Sequence, residues 1–300
     1  MKTRSIIAVA LATLMLAFTA PPSNAESYKI GVLAKRGREK ALKQWKATAD
    51  YLTQKVEGAS FEIVPLDFEE VMPAVQSESV AFFLVNSSMF VTAQVKYGAT
   101  PIATMINSRQ GKPLKSFGGV IITTADSDEI NSLVDLKGKT FAAVKDSSFG
   151  GWQMAYKEIL DAGVDPTRDT SDLVFSGKHD NVVYAVLNGE VDAGTVRTDT
   201  IERMAAEGLI DADELKVVNA KTYADFPFRV STALYPEWPM GKVKGTADGV
   251  AKQVAQALTA MGSSEKAAKD AKVVGWSASL DYGPVRDLQE RLAIGAYEGS

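Results

Sequence analysis

Five short segments hold the groups in this chain best suited to grip an anion. Ala34-Lys35-Arg36-Gly37-Arg38 gathers cations beside a glycine, just before a helix whose dipole also favours negative charge. Asn86-Ser87-Ser88 offers two hydroxyls and free backbone amides at another helix start. Asp146-Ser147-Ser148-Phe149-Gly150-Gly151-Trp152 places two hydroxyls and two glycines ahead of a helix, so peptide N–H groups can approach a ligand, with Trp152 as an apolar wall. Ser176-Gly177-Lys178-His179-Asp180 brings in His179. Arg197-Thr198-Asp199 supplies a guanidinium able to bind an oxyanion through two parallel hydrogen bonds. Arg229 is a further anion contact of lower weight. The candidate ligand set is therefore Lys35, Arg36, Asn86, Ser87, Ser88, Ser147, Ser148, Trp152, His179 and Arg197.

Each of these residue types also serves structure. Asn and Ser cap helices, paired glycines let a helix pack closely on a strand, Trp152 can fill a core, and Arg197 can pair with Asp199. The sequence alone leaves both roles open at every position.

What is missing narrows the chemistry further. There is no cysteine and only one histidine among 300 residues, which excludes disulfides, thiolate zinc sites and cysteine nucleophiles and leaves no His-rich metal site. The carboxylates show no spacing that singles out a general acid and base. Gly138-Lys139-Thr140 resembles the tail of a phosphate-binding loop, but Leu133 stands where its first glycine belongs. No catalytic residue, metal or cofactor is expected, and the chain reads as a binding protein rather than an enzyme. A net charge of −4 excludes a large nucleic-acid footprint.

The segments that must position these loops follow a regular rhythm. Tyr28–Ala34 predicts a strand. Glu39–Val56 predicts a helix, with Leu42, Trp45, Ala49 and Leu52 at i, i+3, i+7 and i+10. Strands at 61–67, 81–85 and 101–106 alternate with helices at 68–76 and 87–97. A second unit repeats the pattern, with strands at 118–124, 140–144, 173–176, 191–197 and 215–220 and helical stretches at 131–136, 151–162, 181–188 and 198–208. An apolar run, Val230–Tyr235, and helices at 246–261 and 284–293 complete the chain. This alternation predicts an α/β protein of two lobes, each a mostly parallel sheet with helices on both faces. Ligands of such sheets sit beyond the carboxyl ends of the strands, where all five anion-ready segments fall.

Met1–Ala25 reads as a cleavable secretory signal, with Lys2 and Arg4, an apolar run from Ile6 to Phe18, and Ser23-Asn24-Ala25 as the small-x-small cleavage pattern. Its removal deletes two positive charges and takes the net charge from −4 to −6. Without cysteine no lipoprotein anchor can form. The mature chain is expected free in the periplasm, as a monomer that is not embedded in the membrane.

Several of these segments carry a family resemblance. Leu133-Val134-Asp135-Leu136-Lys137-Gly138-Lys139-Thr140 is similar to a stretch common in type II periplasmic solute-binding proteins. Lys178-His179-Asp180, followed by Ala185-Val186, Gly189 and Val191-Asp192-Ala193-Gly194, resembles the phosphate/phosphite/phosphonate-binding family of ABC transporter solute-binding proteins. Tyr235-Pro236-Glu237-Trp238-Pro239 and Leu280-Asp281-Tyr282 with Pro284-Val285 are similar to a branch supplying the periplasmic sensor domains of tetrathionate-type histidine kinases. Where that branch has a histidine before the Ser-Thr pair, this chain has Val230.

The resemblance implies two hinged lobes, 26–118 plus 225–300 and 119–224, closing on a small oxyanion at the hinge. It implies an ABC permease as partner, or alternatively a separate membrane histidine kinase.

Overall fold

The computed structural model describes residues 25–109 and 111–299, so the expected signal segment lies almost wholly outside it. In chain order the first unit comprises β1 (Glu26–Leu33), α1 (Arg38–Lys55), β2 (Ala59–Leu66), α2 (Phe68–Gln76), β3 (Phe82–Leu84), α3 (Ser87–Tyr97), β4 (Thr100–Arg109), β5 (Lys112–Leu114) and β6 (Ser116–Phe117). The second comprises β7 (Gly119–Thr124), β8 (Thr140–Ala143), α4 (Met154–Asp161), β9 (Asp172–Phe175), α5 (His179–Leu187), β10 (Ala193–Arg197), α6 (Thr200–Ala206) and β11 (Leu215–Val218). The chain then returns through β12 (Tyr235–Pro236), β13 (Pro239–Lys242), α7 (Asp248–Thr259), α8 (Lys266–Ala271), β14 (Val273–Ser277) and α9 (Gly283–Leu292).

Two large sheets result, beside the two-stranded pair of β6 and β12, and the central topologies of the large sheets match. The first runs β2-β1-β3-β13-β4 with β14 beyond β4, and the second runs β9-β8-β10-β7-β11. In the five-strand core of each, four strands share one direction and one antiparallel strand is inserted fourth, β13 in the first and β7 in the second, while β14 and β5 also pair antiparallel with β4 in the first sheet. The inserted strand is the one that follows a crossing between the lobes. The sheets are thus less uniformly parallel than the β-α-β rhythm predicts, because the crossings deliver strands from the opposite end.

Burial explains the sequence patterns. Phe82, Phe83 and Leu84 are fully buried in succession, as expected of a central strand covered on both faces, and each contributes about 1.5–3 kcal/mol. In the second sheet, alternate residues divide between two cores. Val120, Ile122, Ala142 and Val144 pack with Val182 and Val186 of α5 and Ile201 of α6. Ile121, Phe141 and Ala143 face the other side, with Ala155 and Ile159 of α4. Helices therefore cover both faces.

The lobes are joined where β6 pairs antiparallel with β12, Phe117 opposite Tyr235. Beyond it, the run at 230–235 does not form a full strand. Side chains replace the ladder: Gly119 N–H donates to Thr232 Oγ1 at 2.9 Å and Ile121 N–H to Ser231 Oγ at 2.9 Å. Gly118 has no room for a Cβ, which would lie 2.7 Å from Val230 Cγ2.

Candidate functional site

The carboxyl ends of β1 and β10, the starts of α3 and α5 and the segment before β13 meet at the interlobe junction. Leu33, Lys35, His179, Arg197 and Trp238 line two adjoining cavities there. The inner one, closed by Asn86, Phe117, Ser148 and Gly150, measures about 10 Å³, close to the volume of one water. The outer one measures about 930 Å³ and opens along α1.

Arg197 is buried at the centre. Its Nη2 pairs with Glu237 Oε1 at 2.5 Å, its Nη1 donates to Oε2 at 3.3 Å, and its Nε lies 3.3 Å from Asp199 Oδ1. The guanidinium also stacks over Phe117, 4.1 Å from the ring centre. Asp199 bridges onward to Arg109 Nε at 2.5 Å, and Asn107 Nδ2 donates to Glu237 Oε1 at 2.6 Å. Arg197 and Asp199 belong to the second sheet's side, Glu237 and Arg109 to the first, so a buried chain of alternating charge crosses between the lobes. Burial alone would raise the Asp199 pKa, but Arg109, Arg197, Lys35 and Arg203 outweigh it and hold the carboxyl below its ordinary value. A positive φ of 70° at Asp199, tolerated by Asp, gives this residue its unusual backbone.

Lys35 enters without a carboxylate partner among the described residues, its Nζ 4.7 Å over the Trp238 ring. Burial, then repulsion from Arg197 and Arg109, pulls its pKa down to about 7. With Lys35 protonated, three cations, Lys35, Arg109 and Arg197, face two carboxylates, Asp199 and Glu237, so the junction carries one positive charge in excess below about pH 7. His179 adds none. Burial, with Lys35 and Arg197 nearby, pushes its pKa down to about 3, so the ring is neutral at physiological pH. Its Nδ1 accepts the Arg197 N–H at 3.1 Å, which leaves the proton on Nε2 as a neutral donor.

The remaining expected residues divide by their surroundings. Asn86 caps α3 through Oδ1, which accepts from Met89 N–H, while its Nδ2 donates across the cleft to Ser147 O at 3.2 Å. The Ser148 hydroxyl has no protein partner among the described residues and borders the inner cavity. Arg36 lines the outer cavity, but its guanidinium ion-pairs with Asp180 at 3.2 Å and Glu207 at 3.3 Å on the opposite lobe.

Four others, and the lower-weight Arg229, lie outside both cavities. Ser87 Oγ donates to Pro236 O at 2.5 Å, and Ser88 Oγ accepts from Gln289 Nε2 at 2.6 Å, tying α3 to α9. Ser147 meets the cleft through its backbone carbonyl. Trp152 stacks on Tyr156 at 4.9 Å inside the second lobe, because the turn carrying it faces that core. Arg229 donates to Ala212 O at 3.1 Å, away from the junction.

Arg109, Glu237 and Trp238 escape the residue-by-residue reading. Glu237 and Trp238 stand in the Tyr-Pro-Glu-Trp-Pro motif, which gives a signal of family but none of contact. Among the described residues, no group of His, Asp and Glu could hold a metal ion, and no helix is long and apolar enough to cross a membrane.

Comparison with known proteins agrees with this architecture. Over 235 residues the chain is 32% identical to the tetrathionate sensor histidine kinase TtrS of Salmonella typhimurium, covering 78% of this chain and 39% of that protein. It is 29% identical over 211 residues to the phosphate-import protein PhnD of Mycolicibacterium smegmatis, covering 64% and 63%. The chain thus spans less than two thirds of either relative. A binding protein component of an ABC phosphonate transporter from Pseudomonas aeruginosa superposes with a TM-score of 0.71 at 19% identity, covering 88% of this chain and 86% of that one. The fold is the two-lobed type II periplasmic binding protein fold. The family described as "ABC transporter, phosphonate, periplasmic substrate-binding protein" matches residues 30–281, and the chain belongs to it.

Proposed function

We propose that this chain captures a small oxyanion in the periplasm, phosphonate- or phosphate-like or a sulfur oxyanion, and delivers it to an ABC permease. The lobes, 26–118 with 225–300 and 119–224, close on it by hinge motion, driven by contacts that the closed form alone completes. The observation that carries this reading is the convergence of Lys35, His179 and Arg197 where the two cavities meet. The Lys35 ammonium, the neutral His179 ring N–H and the Ser148 hydroxyl, which has no partner among the described residues, border a junction that carries one net positive charge when Lys35 is protonated. That is the donor set an oxyanion requires.

The similarity to a tetrathionate sensor kinase supports a second reading, in which the closed form docks on a separate membrane histidine kinase. Neighbouring permease and ATPase genes would favour import, and a kinase with a response regulator would favour sensing.

Methylphosphonate, phosphate, thiosulfate and tetrathionate are the panel to test by thermal shift and calorimetry. At least one should raise the melting temperature by binding the folded state preferentially. Ser148→Ala should weaken that binding about tenfold with an unchanged melting temperature. It is a cleaner probe than truncation of Arg197, which would strand Glu237 and Asp199. No shift with any member, on protein verified ligand-free, sinks the oxyanion reading.

A further inference from the structure

The outer cavity is far larger than one oxyanion head needs. Its α1 wall extends from Glu39 to Asp50, a rise of roughly 16 Å along the helix at about 1.5 Å per residue. Leu42, Trp45, Met105 and Trp238 make part of its lining apolar. Its charge is predominantly positive: Glu39, the one lining carboxylate without a cation partner among the described residues, is outnumbered by the unpartnered Lys40, Lys43 and Lys272. Lys46 is neutralised by Asp50 at 2.8 Å and Lys266 by Asp270. Lys43 of α1 and Lys272, just past α8, line the cavity with no carboxylate partner among the described residues.

We propose that this cavity receives the far end of the ligand, and that this end is itself anionic. The solute class is an elongated dianion, an oxyanion head and a second acidic group separated by an apolar spacer. The proposal rests on the oxyanion reading above. Lys35, Arg197 and His179 hold the head at the junction. The spacer lies against Trp238, Trp45 and Leu42, and Lys43 and Lys272 attract the second charge. A cationic tail meets repulsion along the same path, so aminoalkylphosphonates are disfavoured.

The test uses calorimetry on the full mature chain with three probes: methylphosphonate, 2-aminoethylphosphonate and ω-phosphonocarboxylates of increasing length. The phosphonocarboxylates should bind at least about fivefold tighter than the aminoalkyl compound. The exposed double variant Lys43→Glu/Lys272→Glu should erase that preference and leave methylphosphonate affinity unchanged. Circular dichroism and thermal melting establish that this variant is folded. A wild-type chain that binds methylphosphonate but ranks both tails equally, or prefers the ammonium, overturns the dianion proposal alone. Equal losses for all three probes in the folded double variant overturn it too. No binding of these probes or of any compact oxyanion overturns it together with the oxyanion reading.

Discussion

Lys35 is the residue whose behaviour can be predicted most sharply. Its ammonium faces Arg197, Arg109, His179, Asp199 and Glu237 and rests on Trp238, and its pKa of about 7 lies well below the ordinary 10.5. Anion binding favours the protonated form, so affinity should fall as pH rises through about 7. The ligand-free protein should show the opposite trend. Between 7 and 10.5 the unfolded chain binds a proton that the folded chain does not, so this group's penalty shrinks and stability rises with pH. Calorimetry from acid to alkaline pH, with an anion whose own charge is constant over that range, would show the slope, and Lys35→Met should flatten it. A pH-independent affinity in the native chain would place Lys35 outside the site. His179 cannot produce the slope, since it titrates near 3. Neither value is legible in the sequence, because both come from burial and from cations delivered by other strands.

Among the elements, the turn before α4 does most to shape the cleft. Gly151-Trp152 predicts an ordinary helix start, but Phe149–Gln153 forms a wider π-helical turn and the α-helix begins only at Met154. The turn packs closely on its neighbours. A Cβ on Gly151 would lie 2.4 Å from Val144 Cγ2 and 2.8 Å from both His179 Cε1 and Ser148 Oγ. Gly151→Ala should therefore cost about 1–3 kcal/mol in denaturant unfolding and weaken anion binding by displacing Ser148 and His179. Wild-type stability and affinity in that variant would contradict the close packing. The helices α2 and α3 match their expected bounds, since a strong cap opens each: the capping box of Asp67 with Glu70, and Asn86. The short strands β13 and β14 go unforeseen. Pro239-Met240-Gly241-Lys242 has no alternation, and its pairing with β4 shifts register between Met240 and Gly241. Neighbours, rather than local preference, make it a strand.

At the scale of the whole molecule, ion pairs at the cleft rim clasp the lobes. Arg36 reaches Asp180 and Glu207, Lys145 pairs with Glu69, and Arg291 pairs with Asp161 at 3.4 Å. Each is partly solvated and worth at most about 1 kcal/mol, and salt screens it. Raising ionic strength from ~0.05 to ~0.5 M should open the ligand-free chain and increase its radius of gyration in small-angle scattering. Arg36→Ala should do the same at low salt, and a bound anion should reverse both. An unchanged radius under both treatments would show that the rim pairs do not govern closure. The pairs that engage the Arg36 guanidinium are invisible in the sequence because its two acceptors lie more than 140 positions away. The sequence by itself determined the alternating elements, the α/β class and the positions of Lys35, Asn86, Ser148, His179 and Arg197 at strand ends, because apolar periodicity and capping are local. Only the tertiary structure decided that Glu237 neutralises Arg197, that Ser88 braces α9 and that Lys35 has no carboxylate partner among the described residues. Those outcomes depend on which charges and hydroxyls distant strands bring into one desolvated space.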